Sequence, residues 1–255
     1  MNSCRSSRST TSRAWSWARR SSHDPAVGGS NDRVRTPVTN GHARVVAEGY
    51  DAIATRYAAW SGKVEDPTRA RVLSEFSGRL ADGARVLDLG CGSGFPSTAD
   101  LTQRFRVTGV DISIEQIRLA RTNVPVATFI HDDLATARFG AGSFDGVVAL
   151  YSIIHVARDE HATLFRRIAS WLVPGGLFAA SLTVADSPDQ TGEWLGVPMF
   201  FSGYDAATNR SLLRGAGFEL LVDEVVEIEE PEGAVEFLWV LGRKTASVEP
   251  AARRR

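Results

Sequence analysis

Within residues 84–183, short apolar runs alternate with stretches of helical periodicity, and this alternation leaves the chain few folds to adopt. "ARVLDLG" precedes "PSTADLTQRF", and "RVTGVD" precedes "SIEQIRLARTN". "ATFI" and "FDGVVALY" then lead to "RDEHATLFRRIASWL" and "GGLFAASLT". The strand-like runs are almost continuously apolar, so both faces of each must be covered. Helices between such strands cover both faces of a parallel sheet. The end of the chain breaks the pattern. "FELLVDEVVEIEE", "PEG" and "AVEFLWVLGRK" read as two long strands around a tight turn, which predicts an antiparallel final pair. The expected fold class is α/β: a single domain on a doubly wound sheet of about seven strands, mostly parallel, with the last antiparallel.

Two helices are expected before this core. "ARVVAEGYDAIATRYAAW" spaces Val46, Tyr50, Ile53, Tyr57 and Trp60 by three or four residues, an amphipathic helix. Asp66 and Pro67 then read as N-cap and first turn of a second helix, whose apolar side carries Val72, Leu73, Phe76 and Leu80. Residues 184–204 fit neither pattern. They are long for a loop, and such loops are functional lids or disordered. Trp194, Met199, Phe200, Phe201 and Tyr204 argue for an ordered lid. Residues 1–40 and 248–255 are expected to be disordered tails on a domain spanning 41–247, because they are rich in Arg and Ser and lack apolar periodicity.

Composition excludes several classes. Net charge is -1, but residues 41–247 carry 19 basic and 27 acidic side chains. Such a body is a poor match for nucleic acid, although the Arg-rich tail could contact it or resemble a transit peptide. No apolar run approaches the roughly 20 residues of a membrane span. Only two cysteines occur, Cys4 and Cys91, so no disulfide framework or metal site is expected, and a reducing cytoplasm fits. The oligomeric state is not legible.

The chemistry gathers at "VLDLGCGSGFP", where Gly90, Gly92 and Gly94 follow a strand that contains Asp88. Glycines there permit positive φ and close approach of a ligand to the backbone. Asp111 ends the next strand, where a carboxylate can accept the hydroxyls of a ribose. Asp132 and Asp133 end the third strand, in position to reach the exocyclic amine of a base. No lysine follows the turn, which argues against a P-loop. A dinucleotide turn requires G-x-G-x-x-G, and Phe95 stands where its last glycine would be. A nucleoside without phosphates fits better, namely S-adenosylmethionine.

"VLDLGCGSG", "GVDIS", "HDDL", "FDGVVALYSIIHV" and "LVPGGLF" together resemble the successive motifs of class I S-adenosylmethionine-dependent methyltransferases, most of all the ubiquinone-biosynthesis-like branch that acts on small molecules. The resemblance spans about residues 45–243. It implies a Rossmann-like fold, S-adenosylmethionine as cofactor, S-adenosylhomocysteine as product and a small organic acceptor. It implies that Asp88, Gly90, Cys91 and Gly92 hold the methionine end, with Gly94 also on the cofactor, that Asp111 takes the ribose and that Ile112 packs on adenine. Asp133 would meet the adenine amine, with Asp132 as its rival, and Leu134 a ring nitrogen. Leu150 and Tyr151 would line the sulfonium side. Tyr50 and Tyr57 would close over the cofactor, or simply pack the helix.

His155, just past the fourth strand, is the candidate general base or else a structural turn residue. Glu193 and Asp205 are weaker candidates. Trp194, Phe200, Phe201 and Tyr204 would wall the acceptor or pack the core. Two methyltransferase classes are argued against. The place of an [ND]-P-P-[YF] segment reads "LYSI", and neither cysteine is placed to attack a cytosine. A protein acceptor and a silent cofactor-binding protein remain alternatives.

Overall fold

Strand β1 (Arg85–Leu89) lies third in a seven-stranded sheet of order β3-β2-β1-β4-β5-β9-β8. The computed structural model describes residues 41–245 apart from Lys63 and Glu232, so both proposed tails lie outside the described residues. Strand β2 (Arg106–Asp111) and strand β4 (Phe144–Ala149) flank β1 in parallel, and β3 (Thr128–His131) and β5 (Leu172–Leu182) extend the sheet on either side. Strand β8 (Phe218–Glu230) and strand β9 (Gly233–Lys244) form the expected terminal pair, with β9 antiparallel to both β5 and β8.

Helices cover both faces. Helix α2 (Pro67–Gly78) starts where Asp66 accepts the Arg69 N–H at 2.8 Å. It covers one face with the short α3 (Ser97–Thr102), and α4 (Ile114–Asn123) packs on β2 and β3. Helix α5 (Arg158–Trp171) and α6 (Ala206–Gly215) cover the other face. Successive strand residues point to opposite faces. Val86, Val148 and Trp239 therefore join Val72 and Phe76 in one core, while Leu87, Val147 and Val240 join Phe165 and Phe178 in the other.

The segment read as a lid loop is a β-hairpin. Strand β6 (Ser187–Trp194) and strand β7 (Val197–Gly203) pair antiparallel around Leu195 and Gly196, whose φ angles are 48° and 78°. The tight hairpin turns that match strand twist need positive φ at both positions. The hairpin docks on α1 (Gly41–Ser61). Arg56 donates to the Leu195 carbonyl, His42 stacks on Phe200 at 4.3 Å, and Trp194 packs on the rings of Tyr50, Tyr57 and Trp60. Gly49 sets how closely they meet. A Cβ there would lie 2.8 Å from Met199 Cε and 2.9 Å from the Pro198 carbonyl oxygen. Helix α1 is also pinned to the sheet: Asp51 accepts the Ser113 hydroxyl at 2.6 Å and the Glu115 N–H at 3.2 Å, at the N-terminus of α4. An anion is favoured there because the first amides of a helix lack partners.

Gly49→Val should therefore cost about 1–3 kcal/mol, the usual cost of overpacking a close contact. Gly78→Ala, on the comparably polar α2 where an added Cβ meets nothing within 4 Å, should cost nothing. Denaturant midpoints measure both, and equal stability of the two variants would refute a tight α1–β7 contact.

Candidate active site

The sheet order reverses between β1 and β4, and ligands of such sheets bind beyond the carboxyl ends of the strands at that point. There the chain leaves β1 through the glycine turn. Gly90 has φ 78°, and a Cβ on it would lie 2.3 Å from Ser152 Cβ, so only glycine fits where the β1 and β4 ends meet. Ser152 closes that junction by donating its hydroxyl to the Leu89 carbonyl at 2.7 Å.

Asp111 ties the turn to the next unit. One oxygen accepts the Gly92 N–H at 2.8 Å and the other the Ser113 N–H at 2.9 Å. Burial pushes its carboxyl up to about 6 against the opposing pull of those two amides. Asp88 is also buried, accepts the Thr98 hydroxyl at 2.6 Å and is pushed up to about 6 by burial.

Two cavities open at this edge. The first, of about 740 Å³, is lined by Gly90, Gly92, Asp111, Ile112, Asp132, Asp133, Leu134 and Leu150 from the sequence-predicted set. His42, Gln116 and Glu160 also line it and were not foreseen. Four carboxylates, Asp111, Asp132, Asp133 and Glu160, face it, and among the described residues no lysine or arginine does. Asp133 Oδ1 accepts the Ala135 N–H at 2.8 Å while its buried Oδ2 has no partner among the described residues. Asp132 Oδ1 instead accepts the Asp133 N–H at 2.8 Å. Asp88, Cys91 and Gly94 do not line this cavity; the Cys91 side chain packs instead with Ile117 and Phe129.

The second cavity, of about 590 Å³, is bounded by α1, the hairpin and the β8–β9 pair. Its lining includes Trp60, Trp194, Phe201 and Phe237 together with Arg69 and Glu230. Tyr50, Tyr57, Tyr151 and His155 line both cavities. Tyr151 holds φ at 56°, rare for a non-glycine residue, and its hydroxyl donates to buried Asp66. His155 is fixed at both nitrogens. Nδ1 lies 2.7 Å from the Phe200 carbonyl, which can only accept, so Nδ1 carries the hydrogen. Nε2, 2.9 Å from the Tyr50 oxygen, is then the acceptor of that hydroxyl. Burial pushes His155 down to about 4, so the imidazole is neutral.

Not every predicted residue reaches the site. Phe200 is buried against α1 and lines neither cavity; it contributes its carbonyl to His155. Tyr204 also lines neither and sits under the Arg158 guanidinium. Asp205 caps α6 by accepting the Thr208 N–H at 2.7 Å, and Glu193 is exposed on the hairpin. Trp60 was within reach of sequence reasoning, one helical turn after Tyr57. Arg69, Glu230 and Phe237 carry no local signal.

Residues 86–176 match a family described as a methyltransferase domain. Over 194 residues the chain is 31% identical to an O-methyltransferase of Penicillium expansum, covering 66% of this chain and 67% of that protein. Over 179 residues it is 30% identical to an O-methyltransferase of Aspergillus nomiae, covering 64% and 76%. The chain is a class I S-adenosylmethionine-dependent methyltransferase. Its fold is shared with the 1,6-didemethyltoxoflavin-N1-methyltransferase of Burkholderia thailandensis, solved with S-adenosylhomocysteine, at a TM-score of 0.63 and 23% identity over 84% of this chain and 94% of that one. The first cavity of the methyltransferase suits this cofactor: its carboxylates favour a cationic sulfonium, and its described lining holds none of the cations a pyrophosphate would need.

The raised Asp111 carboxyl means that the folded state retains a proton the unfolded chain has already lost. Ionisation above about pH 6 therefore costs stability, and protonation restores it. Asp111→Asn should gain on the wild type by of the order of 1–3 kcal/mol between pH 4.5 and pH 8. Urea titrations of the free proteins at both pH values measure this, and a pH-independent difference would contradict it.

Proposed function

We propose that the enzyme transfers a methyl group to a hydroxyl of a small organic acceptor held in the second cavity. The observation that carries this reading is the shared wall. Tyr50, Tyr57, Tyr151 and His155 face both cavities, so groups held on either side meet at those four residues. The O-methyltransferases among the relatives support oxygen as the atom methylated.

When bound, S-adenosylmethionine supplies an activated methyl on a cationic sulfonium, and displacement in line with the acceptor needs chiefly alignment. In this reading Asp111 receives the ribose hydroxyls on the lone pairs its two amides leave free. Ile112 and Leu134 hold the adenine, and the buried Asp133 Oδ2, which has no partner among the described residues, receives its amine. Gly90, Gly92 and Leu150 border the methionine end. Asp88, Cys91 and Gly94 act by holding the shape of the turn rather than by lining the cavity.

Trp60, Trp194, Phe201 and Phe237 exclude water from the acceptor side. Neutral Nε2 of His155 takes the acceptor's proton, directly or through the Tyr50 hydroxyl that now occupies it. The proton would bring one positive charge to the imidazole, and the bound cofactor would lose one with its methyl, so the site's net charge would be conserved. A neutral imidazole is the state such a base requires, and burial maintains it well below neutral pH.

With an acceptor found by screening labelled methyl transfer to phenols and other alcohols, His155→Ala should lower kcat by roughly 10²–10⁴. Tyr50→Phe should lower it by about tenfold, with S-adenosylhomocysteine affinity kept in both. Trp60→Ala and Trp194→Ala should mainly raise KM for the acceptor. Full turnover in His155→Ala would reduce the mechanism to alignment alone. Unchanged KM in both tryptophan variants would remove the acceptor from the second cavity.

A further inference from the structure

Gln116 is fully buried at the start of α4, yet neither its amide nitrogen nor its amide oxygen has a partner among the described residues. Its side chain lines the first cavity beside Gly92 and Asp111. Its amide oxygen lies 3.9 Å from where a Cβ on Gly92 would stand. An unsatisfied buried amide destabilises a fold, so its persistence calls for a partner.

The local sequence explains how the amide came to be free. Ser113 is the N-cap of α4 and its hydroxyl accepts the Gln116 N–H at 3.1 Å. Ser followed three residues later by Gln is a capping box, in which the Gln side chain returns to the N–H of the capping Ser. Here that N–H is already donated to Asp111 Oδ1 at 2.9 Å. With the reciprocal half of the box occupied, the amide turns to the cavity.

We propose that Gln116 is a cofactor-binding residue that hydrogen-bonds the ribose of S-adenosylmethionine alongside Asp111. An amide both donates and accepts, as does a hydroxyl, so it pairs with a ribose without adding charge. It thereby supplements a carboxylate that accepts only. The role rests on the family assignment and is independent of which acceptor is methylated.

The test reads two properties of opposite sign. Gln116→Met and Gln116→Leu replace the amide with apolar groups of similar volume. The free variants should melt at or above the wild-type temperature, because a lone buried amide is removed. Titration calorimetry should show S-adenosylhomocysteine binding weakened by 10-fold or more. 5′-Methylthioadenosine keeps the ribose and adenine but lacks the amino acid, and it should weaken by the same factor. A lower melting temperature with unchanged affinity in both variants would make Gln116 structural and overturn the proposal. A loss confined to S-adenosylhomocysteine would move the contact to the amino-acid end and equally overturn it.

Discussion

One carboxylate organises this edge of the sheet. Asp111 ends β2 buried, and ionised burial is unfavourable unless hydrogen bonds compensate. Its two oxygens accept amides on either side, Gly92 in the glycine turn and Ser113 at the start of α4. That pair of bonds fixes the loop after β1 relative to the helix after β2. It also uses the amide that a capping box would give to Gln116, which sets the Gln116 side chain facing the cavity. Ser113 in turn donates to Asp51, so α1 is positioned by the same turn. A single acid thus links the turn, the helix start and the cap helix.

The cap makes the second cavity. Helix α1 and the β6–β7 hairpin meet through Gly49, Arg56 and a group of aromatic rings, among which Trp194 touches three side chains of α1. Edge-to-face ring contacts of this kind add to the gain from burying aromatic area. The hairpin is more than a cover, because the Phe200 carbonyl sets the tautomer of His155. The chemistry proposed at the shared wall therefore depends on how the hairpin is seated on α1, and both belong to segments outside the parallel core.

The core was legible because its strands are covered on both faces and carry unbroken apolar runs. The Asp66–Pro67 start and the Asp111 position were legible for similarly local reasons, a cap and a strand end. The hairpin was not. Its turn places Leu195 at φ 48°, where Asn or Asp would have announced the turn. Without that strand assignment the two-residue alternation of β7 could not be read. Phe201, lining the second cavity, was therefore indistinguishable from its neighbour Phe200, packed on His42. The hydrogen bonds of His155 span 45 and 105 residues, and separations of that size leave no trace in local sequence. Gln116 carried no signal of its own, since a Gln three residues after a Ser is equally what an ordinary capping box would place there.

The account rests on the first cavity binding a phosphate-free nucleoside through an ionised Asp111. Calorimetric titration of the enzyme with S-adenosylhomocysteine and with NADH, from pH 8 to pH 5, tests this most directly. A protonated Asp111 can no longer accept both ribose hydroxyls, and in the free protein its carboxyl is pushed up to about 6. The predicted result is one S-adenosylhomocysteine site whose affinity is flat above neutrality and falls by up to about tenfold per pH unit below 6, with no NADH binding. Selective binding of NADH, or S-adenosylhomocysteine affinity unchanged down to pH 5, would contradict it.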